Sequence, residues 1–176
     1  LSLCSVLSVL TFSAAPVLAA DTAAAMVYSI ASAKAVESLL LDVAHAGARL
    51  VAVGDRGHIL YSDDQGVSWV QAKVPTRQML TSVFFVDDKK GWATGHDALI
   101  LATEDGGMTW TQQFVDLERE APLLDIWFKN AEQGFAVGAY GALLETTDGG
   151  ANWEDVSDRL DNEDQHHLNA ITEVKE

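Results

Sequence analysis

The chain has 176 residues, 48% of them apolar, which is enough to bury a core within one domain. Its 26 acidic residues against 11 basic ones give a formal charge of −15. That argues against nucleic acid and against a polybasic membrane contact, and leaves a solubilising surface or an acidic face for a basic partner. The one cysteine, Cys4, excludes an internal disulfide.

Residues 1–20 read as a signal peptide. An apolar run from Leu3 through Phe12 gives way to the small residues Ala14-Ala15-Pro16-Val17-Leu18-Ala19-Ala20, with cleavage expected after Ala19 or Ala20. Serines interrupt the run, and it is too short for a comfortable membrane span. No initiator Met or basic segment precedes it, so the start is expected to be clipped. Leu3 stands where a lipid-attachment signal would place a small residue, which argues against lipidation of Cys4. The mature protein is expected to be exported and free of cysteine. A periplasm, a thylakoid lumen or the cell exterior suits it, and it would not itself span the membrane.

Residues 21–38 form an Ala-rich leader, read as a short helix or a loose lead into the fold. A repeat follows. Candidate strands are Leu39–Val43, Arg49–Val53, His58–Tyr61 and Trp69–Ala72, with a tight turn at Gly54-Asp55-Arg56-Gly57. The second unit has Thr81–Phe85, Gly91–Thr94, Leu99–Ala102 and Trp110–Gln113. The third has Leu124–Phe128, Gly134–Val137, Ala142–Glu145 and Trp153–Val156. The expected units are 39–75, 80–115 and 123–157. His167-Leu168-Asn169-Ala170-Ile171 reads as the first strand of a fourth unit, within 167–176.

Each unit carries the same eight-residue corner, at Ser62–Trp69, Thr103–Trp110 and Thr146–Trp153. The tryptophans are 41 residues apart (69 to 110) and then 43 (110 to 153), the mark of an array and, for stranded units, of a propeller. Asp64, Asp105 and Asp148 are expected to accept backbone N–H groups and so close the turn. Gly66, Gly107 and Gly150 supply a positive φ. The hydroxyls of Ser62, Thr103 and Thr146 tie the two arms together, and Trp69, Trp110 and Trp153 bury an aromatic face as the outgoing strand begins. Three like copies argue for structure over a calcium or catalytic site. From Gly54 to Ser62, Gly95 to Thr103 and Gly138 to Thr146 the separation is eight each time. The longer period therefore arises between units, near Val115–Pro122, where propellers tolerate insertion and often bind.

These corners resemble Asp-boxes, or bacterial neuraminidase repeats, found in sialidases, other glycoside hydrolases, sortilin-type receptors and photosystem II assembly factors. The wider rhythm is Leu-x-Asp/Ser-Val/Ile, Val-Ala-Val-Gly-x-x-Gly, an apolar strand, the box and Trp-x-x-Gln/Val. It resembles the photosystem II stability and assembly factor family across residues 39–176. The opening Leu-Leu-Leu-Asp-Val with Val-Gly-Asp-Arg-Gly-His is similar to exported bacterial relatives. The resemblance implies an all-β propeller of four-stranded antiparallel blades, six to eight in the whole protein. It also implies a non-catalytic lumenal helper that holds a membrane protein complex during assembly, with no cofactor. The present chain would then be a fragment of about three blades, with open sheet faces that make it sticky. The family is associated with a basic patch. Here only Arg49, Arg56, Arg77, Arg119 and Arg159 are available, a departure that bears on the photosystem partner rather than on the fold.

A sialidase-like enzyme is the competing reading. It would need arginines converging on a substrate carboxylate, an acid/base carboxylate and a Tyr-Glu pair, with the catalytic groups outside this fragment. Five scattered arginines do not supply that set. His166-His167 lack a third metal ligand and read as a solvated pair. His58 and His96 fit turns, and the acidic run at Asp158, Asp161, Glu163 and Asp164 fits a solvated linker. Trp92 and Trp127 fit packing between blades. The candidate partner-binding residues are Asp55, Arg56 and Tyr140, which occupy equivalent, variable turns on one rim.

Overall fold

The computed structural model describes residues 27–174, so the signal-peptide reading and the first part of the leader lie outside the described residues. Twelve strands form three four-stranded antiparallel sheets. The first sheet holds β1 (Leu40–Ala46), β2 (Arg49–Gly54), β3 (Ile59–Ser62) and β4 (Val70–Gln71). The second holds β5 (Leu80–Phe85), β6 (Gly91–Gly95), β7 (Ile100–Thr103) and β8 (Thr111–Phe114). The third holds β9 (Leu123–Phe128), β10 (Gly134–Gly138), β11 (Leu143–Thr146) and β12 (Glu154–Asp155). Each sheet is a meander in sequence order, so every strand pairs with its neighbour in the chain. The all-β, bladed architecture expected from the sequence is the one observed.

The side-chain alternation of the strands builds the core between sheets. In the second sheet Val83, Ala93, Leu99 and Leu101 face the first sheet, where they meet Val51, Val53, Ile59 and Val74. Trp92, Ile100 and Ala102 face the third, where they meet Ile126, Phe128, Ala136 and Leu144. This period of two lets one sheet serve two interfaces. Trp92 is fully buried and stacks on Phe128 with 3.4 Å between ring centroids. Burial of a side chain of this kind contributes on the order of 2–3 kcal/mol. Trp127 pairs across the ladder with Phe135, half-buried, on the face of β9 turned away from the second sheet.

The same irregularity opens each innermost strand. The ladder slips between Leu40 and Asp42, between Leu80 and Ser82, and between Leu123 and Asp125, leaving Leu41, Thr81 and Leu124 as bulged residues. Just beyond the bulges of β1 and β9, Asp42 Oδ2 accepts the Val83 backbone N–H at 2.8 Å, and Asp125 Oδ2 accepts that of Ile171 at 2.9 Å. A carboxylate of one sheet therefore caps the free edge of the segment that follows.

Residues 167–171 form no strand. Leu168 donates its N–H to the Gly138 carbonyl, and Ile171 is capped by Asp125, but no hairpin mate for the segment exists among the described residues. Without a ladder partner an extended segment is not a strand. The described part of the leader, residues 27–38, holds no strand and one 3₁₀ turn, at Ala35–Glu37.

Candidate protein-docking rim

The two rims of the sheets differ in chemistry. One carries the three box corners, and there nearly every polar group is consumed. Asp64 Oδ1 accepts from the Ser62 hydroxyl and the Ser68 N–H, both at 2.8 Å, and Oδ2 accepts from the Ser68 hydroxyl at 2.5 Å. Asp105 repeats this with Thr103 (2.8 Å), the Thr109 N–H (2.9 Å) and the Thr109 hydroxyl (2.5 Å). Asp148 repeats it with Thr146 (3.0 Å), the Asn152 N–H (2.9 Å) and the Asn152 amide (2.6 Å). The hydroxyls of Ser62, Thr103 and Thr146 each accept the N–H of the box glycine at 2.8, 3.0 and 2.9 Å. Gly66, Gly107 and Gly150 sit at φ of 88°, 87° and 88°, a conformation that glycine adopts without strain.

Hydrogen bonds from the side chain and backbone of Ser68 hold the Asp64 carboxyl at about 2. Asn152 lowers Asp148 in the same way. For Asp105, burial pushes the carboxyl up, and the bonds from Thr109, Thr103 and Met108 together outweigh it. Carboxylates held this firmly ionised and this fully engaged are poorly suited to trading protons with a substrate.

The corners also bind neighbouring sheets together. Arg49 pairs with Asp63 of its own corner at 2.7 Å and donates to the Gly106 carbonyl of the next corner at 3.0 Å. Lys90 holds the matching position in the second sheet, pairs with Glu104 at 3.4 Å, and sits beside Gly149 of the third corner. Trp92 Nε1 and Gln113 Nε2 both donate to the Gly149 carbonyl at 3.2 Å. The pattern explains a paired change in the third unit. Where Arg49 and Lys90 become Gln133, their acidic partners Asp63 and Glu104 become Thr147.

The third corner departs in one respect. Trp69 and Trp110 donate their indole N–H to the Gly66 and Gly107 carbonyls at 3.1 and 3.0 Å, whereas the buried Trp153 Nε1 has no partner among the described residues.

The opposite rim carries the turns between the second and third strands of each sheet. Arg56, Asp97 and Tyr140 occupy the same left-handed position in these turns, with φ of 56°, 58° and 56°. A left-handed backbone at a non-glycine residue swings its side chain out of the sheet. Arg56 and Tyr140 are exposed, and Asp97 is half-exposed. Asp55 and Arg56 pair at 3.3 Å. Tyr140 lies in the third sheet, packs its ring against His167 at 5.1 Å between centroids, and donates its N–H to His167 Nδ1 at 3.2 Å. Asp55 and Arg56 thus stand together, while Tyr140 is on the same rim with the His96-Asp97 turn of the second sheet between them. His58 is buried and bonded to Ser38. His166 lies 3.7 Å from Asp164, and no group of three metal-ligating side chains occurs among the described residues.

Sequence reasoning missed the contribution of the leader. Its residues join Arg56, His58 and Arg77 to line two clefts of about 300 Å³ on this rim. A larger cleft of about 510 Å³ lies between the first and second sheets and is walled by Arg77, Gln78, His96, Leu99, Gln112 and Leu117, among others. The signal that was available is a glutamine two residues after the box tryptophan, Gln71 and Gln112. The five arginines do not converge. Arg49 is tied to Asp63, Arg56 to Asp55, Arg119 to Asp155 and Arg159 to Glu145, and Arg77 donates to the Tyr28 carbonyl.

Residues 65–122 and 111–175 match the family described as photosynthesis system II assembly factor YCF48. The chloroplastic photosystem II stability/assembly factor HCF136 of Cyanidioschyzon merolae is 40% identical over 62 residues, covering 34% of this chain and 14% of that protein. The photosystem II assembly lipoprotein Ycf48 of Prochlorococcus marinus is 40% identical over 52 residues, covering 30% and 15%. A solved structure of YCF48 bound to D1 peptide superposes with a TM-score of 0.59 at 24% identity, over 66% of this chain and 39% of that one. YCF48 from Cyanidioschyzon merolae gives 0.59 at 22%, over 72% and 44%. At these identities the structural likeness is one of fold. The matched stretch spans less than half the length of either solved relative and about a seventh of the two curated ones.

Proposed function

Because the chain belongs to the photosynthesis system II assembly factor YCF48 family, we propose that it is part of an exported, non-catalytic β-propeller that serves as a protein-binding scaffold for assembly of a membrane protein complex. The observation that carries this reading is the saturation of the three box carboxylates by their own corners. What remains exposed and variable is the opposite rim. The relatives are named as assembly factors, and one is solved with a peptide of D1, which supports a polypeptide as the ligand here. The docking residues are Asp55, Arg56 and Tyr140. The location is a periplasm, or a thylakoid lumen in a photosynthetic host. Arginines each tied to a separate partner give no support to the sialidase-like alternative.

The test uses the full-length protein, affinity-tagged, on detergent-solubilised host membranes. Capture of a membrane-complex subunit is expected, with loss of most of it in a variant carrying Asp55→Lys, Arg56→Glu and Tyr140→Ala. Undiminished capture by that variant would remove these residues as the docking site. Turnover of sialosides or glucans would overturn the scaffold reading itself.

A further inference from the structure

Gln71, Gln112 and Asp155 are the same position in three sheets. The ladders pair Leu60 with Gln71, Leu101 with Gln112 and Leu144 with Asp155. The position lies on the outermost strand, where side chains can meet whatever runs along the sheet edge. In the first sheet the leader occupies it. Gln71 Nε2 donates to the Ile30 carbonyl at 3.0 Å, and Gln71 Oε1 accepts the Ser32 N–H at 2.9 Å. The Ser29 N–H donates to the Val74 carbonyl at 2.9 Å, and Arg77 Nε donates to the Tyr28 carbonyl at 2.9 Å. All four contacts read the leader's main chain. Meanwhile the side chains of Val27, Tyr28 and Ile30 remain 53%, 40% and 61% exposed. The outer edge of the first sheet is therefore an extended-peptide site, filled from within the chain. A glutamine amide offers one donor and one acceptor in the pattern that a strand edge would.

In the third sheet the twin position is closed, because Asp155 is held by Arg119 and by Ser157. In the second, Val27 alone of the leader's described residues reaches the adjoining cleft. Gln112 is exposed, and its amide makes no hydrogen bond among the described residues. It faces the 510 Å³ cleft, whose wall and floor include Pro75, Leu99, Val115 and Leu117, with Leu117 66% exposed. A bulge at Gln113 displaces the chain after Gln112, and Val115 and Leu117 beyond it line the cleft. The cleft thus joins a main-chain-reading amide to an apolar floor, the two elements that peptide-binding edges combine.

We propose that this cleft docks an extended segment of a partner polypeptide, its main chain read by Gln112 and an apolar side chain seated against Leu99, Val115 and Leu117. The inference rests on the scaffold reading and names the ligand class and a site for it. Occupation of the twin position by residues 28–32 shows the form that the ligand takes.

The probe is a labelled synthetic peptide with the sequence of residues 27–34, titrated into the full-length protein and followed by fluorescence anisotropy. The wild-type protein is expected to bind it saturably. Gln112→Ala and Leu117→Asp, both at exposed positions and checked for an unchanged circular dichroism spectrum, are each expected to weaken binding about tenfold, as the loss of two hydrogen bonds or of an apolar seat would. Val67→Ala, at a box corner on the other rim and 87% exposed, is expected to leave the cleft's affinity unchanged. Absence of binding to the wild type, or equal binding by Gln112→Ala, would overturn the proposal. Binding that emerges only after removal of residues 21–26 would assign the cleft to the chain's own upstream segment and would equally overturn it. Membrane-complex capture that persists in Gln112→Ala while peptide binding is lost separates the two claims: the scaffold stands, and the capture runs through other residues.

Discussion

Asp64 is held at about 2, first by the Ser68 hydroxyl and then by the Ser68 N–H and the Ser62 hydroxyl, while an unfolded aspartate titrates near ~3.9. Its folded value is the lower one, so its contribution to stability is complete above the unfolded value and is lost as pH falls towards about 2. Asp105 and Asp148 are lowered too and act in the same direction. Denaturant midpoints measured against pH are expected to be governed by these groups only below pH ~4. Asp64→Asn, which places an amide where two hydroxyls and an N–H donate, is expected to lower the midpoint at neutral pH and to flatten the acid decline. An equally steep acid decline in the variant would contradict the assignment.

The box glycines allow a graded test. An alanine at φ near +88° costs about 1–2 kcal/mol by conformation alone. A Cβ at Gly66 meets only ordinary contacts, the nearest at 3.6 Å, whereas at Gly150 it falls 2.0 Å from Gln113 Oε1. Gly66→Ala is therefore expected to cost about 1–2 kcal/mol of unfolding free energy, from conformation, and Gly150→Ala more. Equal losses would show that the side-chain clash is relieved at no cost. These local facts were legible in the sequence, since Ser/Thr-x-Asp-x-Gly-x-(Ser/Thr/Asn)-Trp names each participant. The lack of a partner for Trp153 was not, because Trp153 completes the same box pattern as Trp69.

At the scale of elements, each strand expected within the three units has an observed counterpart, mostly offset by a residue or two, because period-two alternation and turn glycines are local signals. What was not legible depends on groups distant in sequence. Arg49 contacts Gly106, 57 residues away, and only the assembled sheets reveal that contact. The leader's own residues do not decide between helix and coil, because its ordering comes from Gln71, Val74 and Arg77. The segment 167–171 has strand-like residues but no ladder partner, and pairing decided against its composition.

The Arg49 bridge gives a prediction for these interfaces. Asp63 is well exposed, and solvent screening is expected to leave its pair with Arg49 contributing little to stability. The partly buried bond to the Gly106 carbonyl is charge-assisted and is expected to contribute about 1.5–3 kcal/mol. Chemical denaturation should therefore find Arg49→Ala clearly more destabilising than Asp63→Ala. The reverse order would mean that the surface pair, and not the link between sheets, is the important contact.

At the scale of the molecule, three repeats divide their labour between two rims. Conformational demands concentrate at the box corners, where the same side chains recur because the same hydrogen bonds must close. The opposite rim places Arg56, Asp97 and Tyr140 at one backbone position with three different chemistries, the variation expected where a surface meets a partner rather than itself. Leu41 and Val43 on β1 are 45% and 56% exposed, which leaves an apolar stripe on the innermost strand of the first sheet. Among the described residues no helix is long and apolar enough to cross a membrane.

The most direct test of this division is site-specific photo-crosslinking in host membranes, with a photoreactive residue placed in the full-length protein either at Tyr140 or at Val67, a box-corner residue that is 87% exposed. The account predicts adducts to a membrane-complex subunit from position 140 and none from position 67. Adducts from position 67 alone would place the partner on the corners and contradict it.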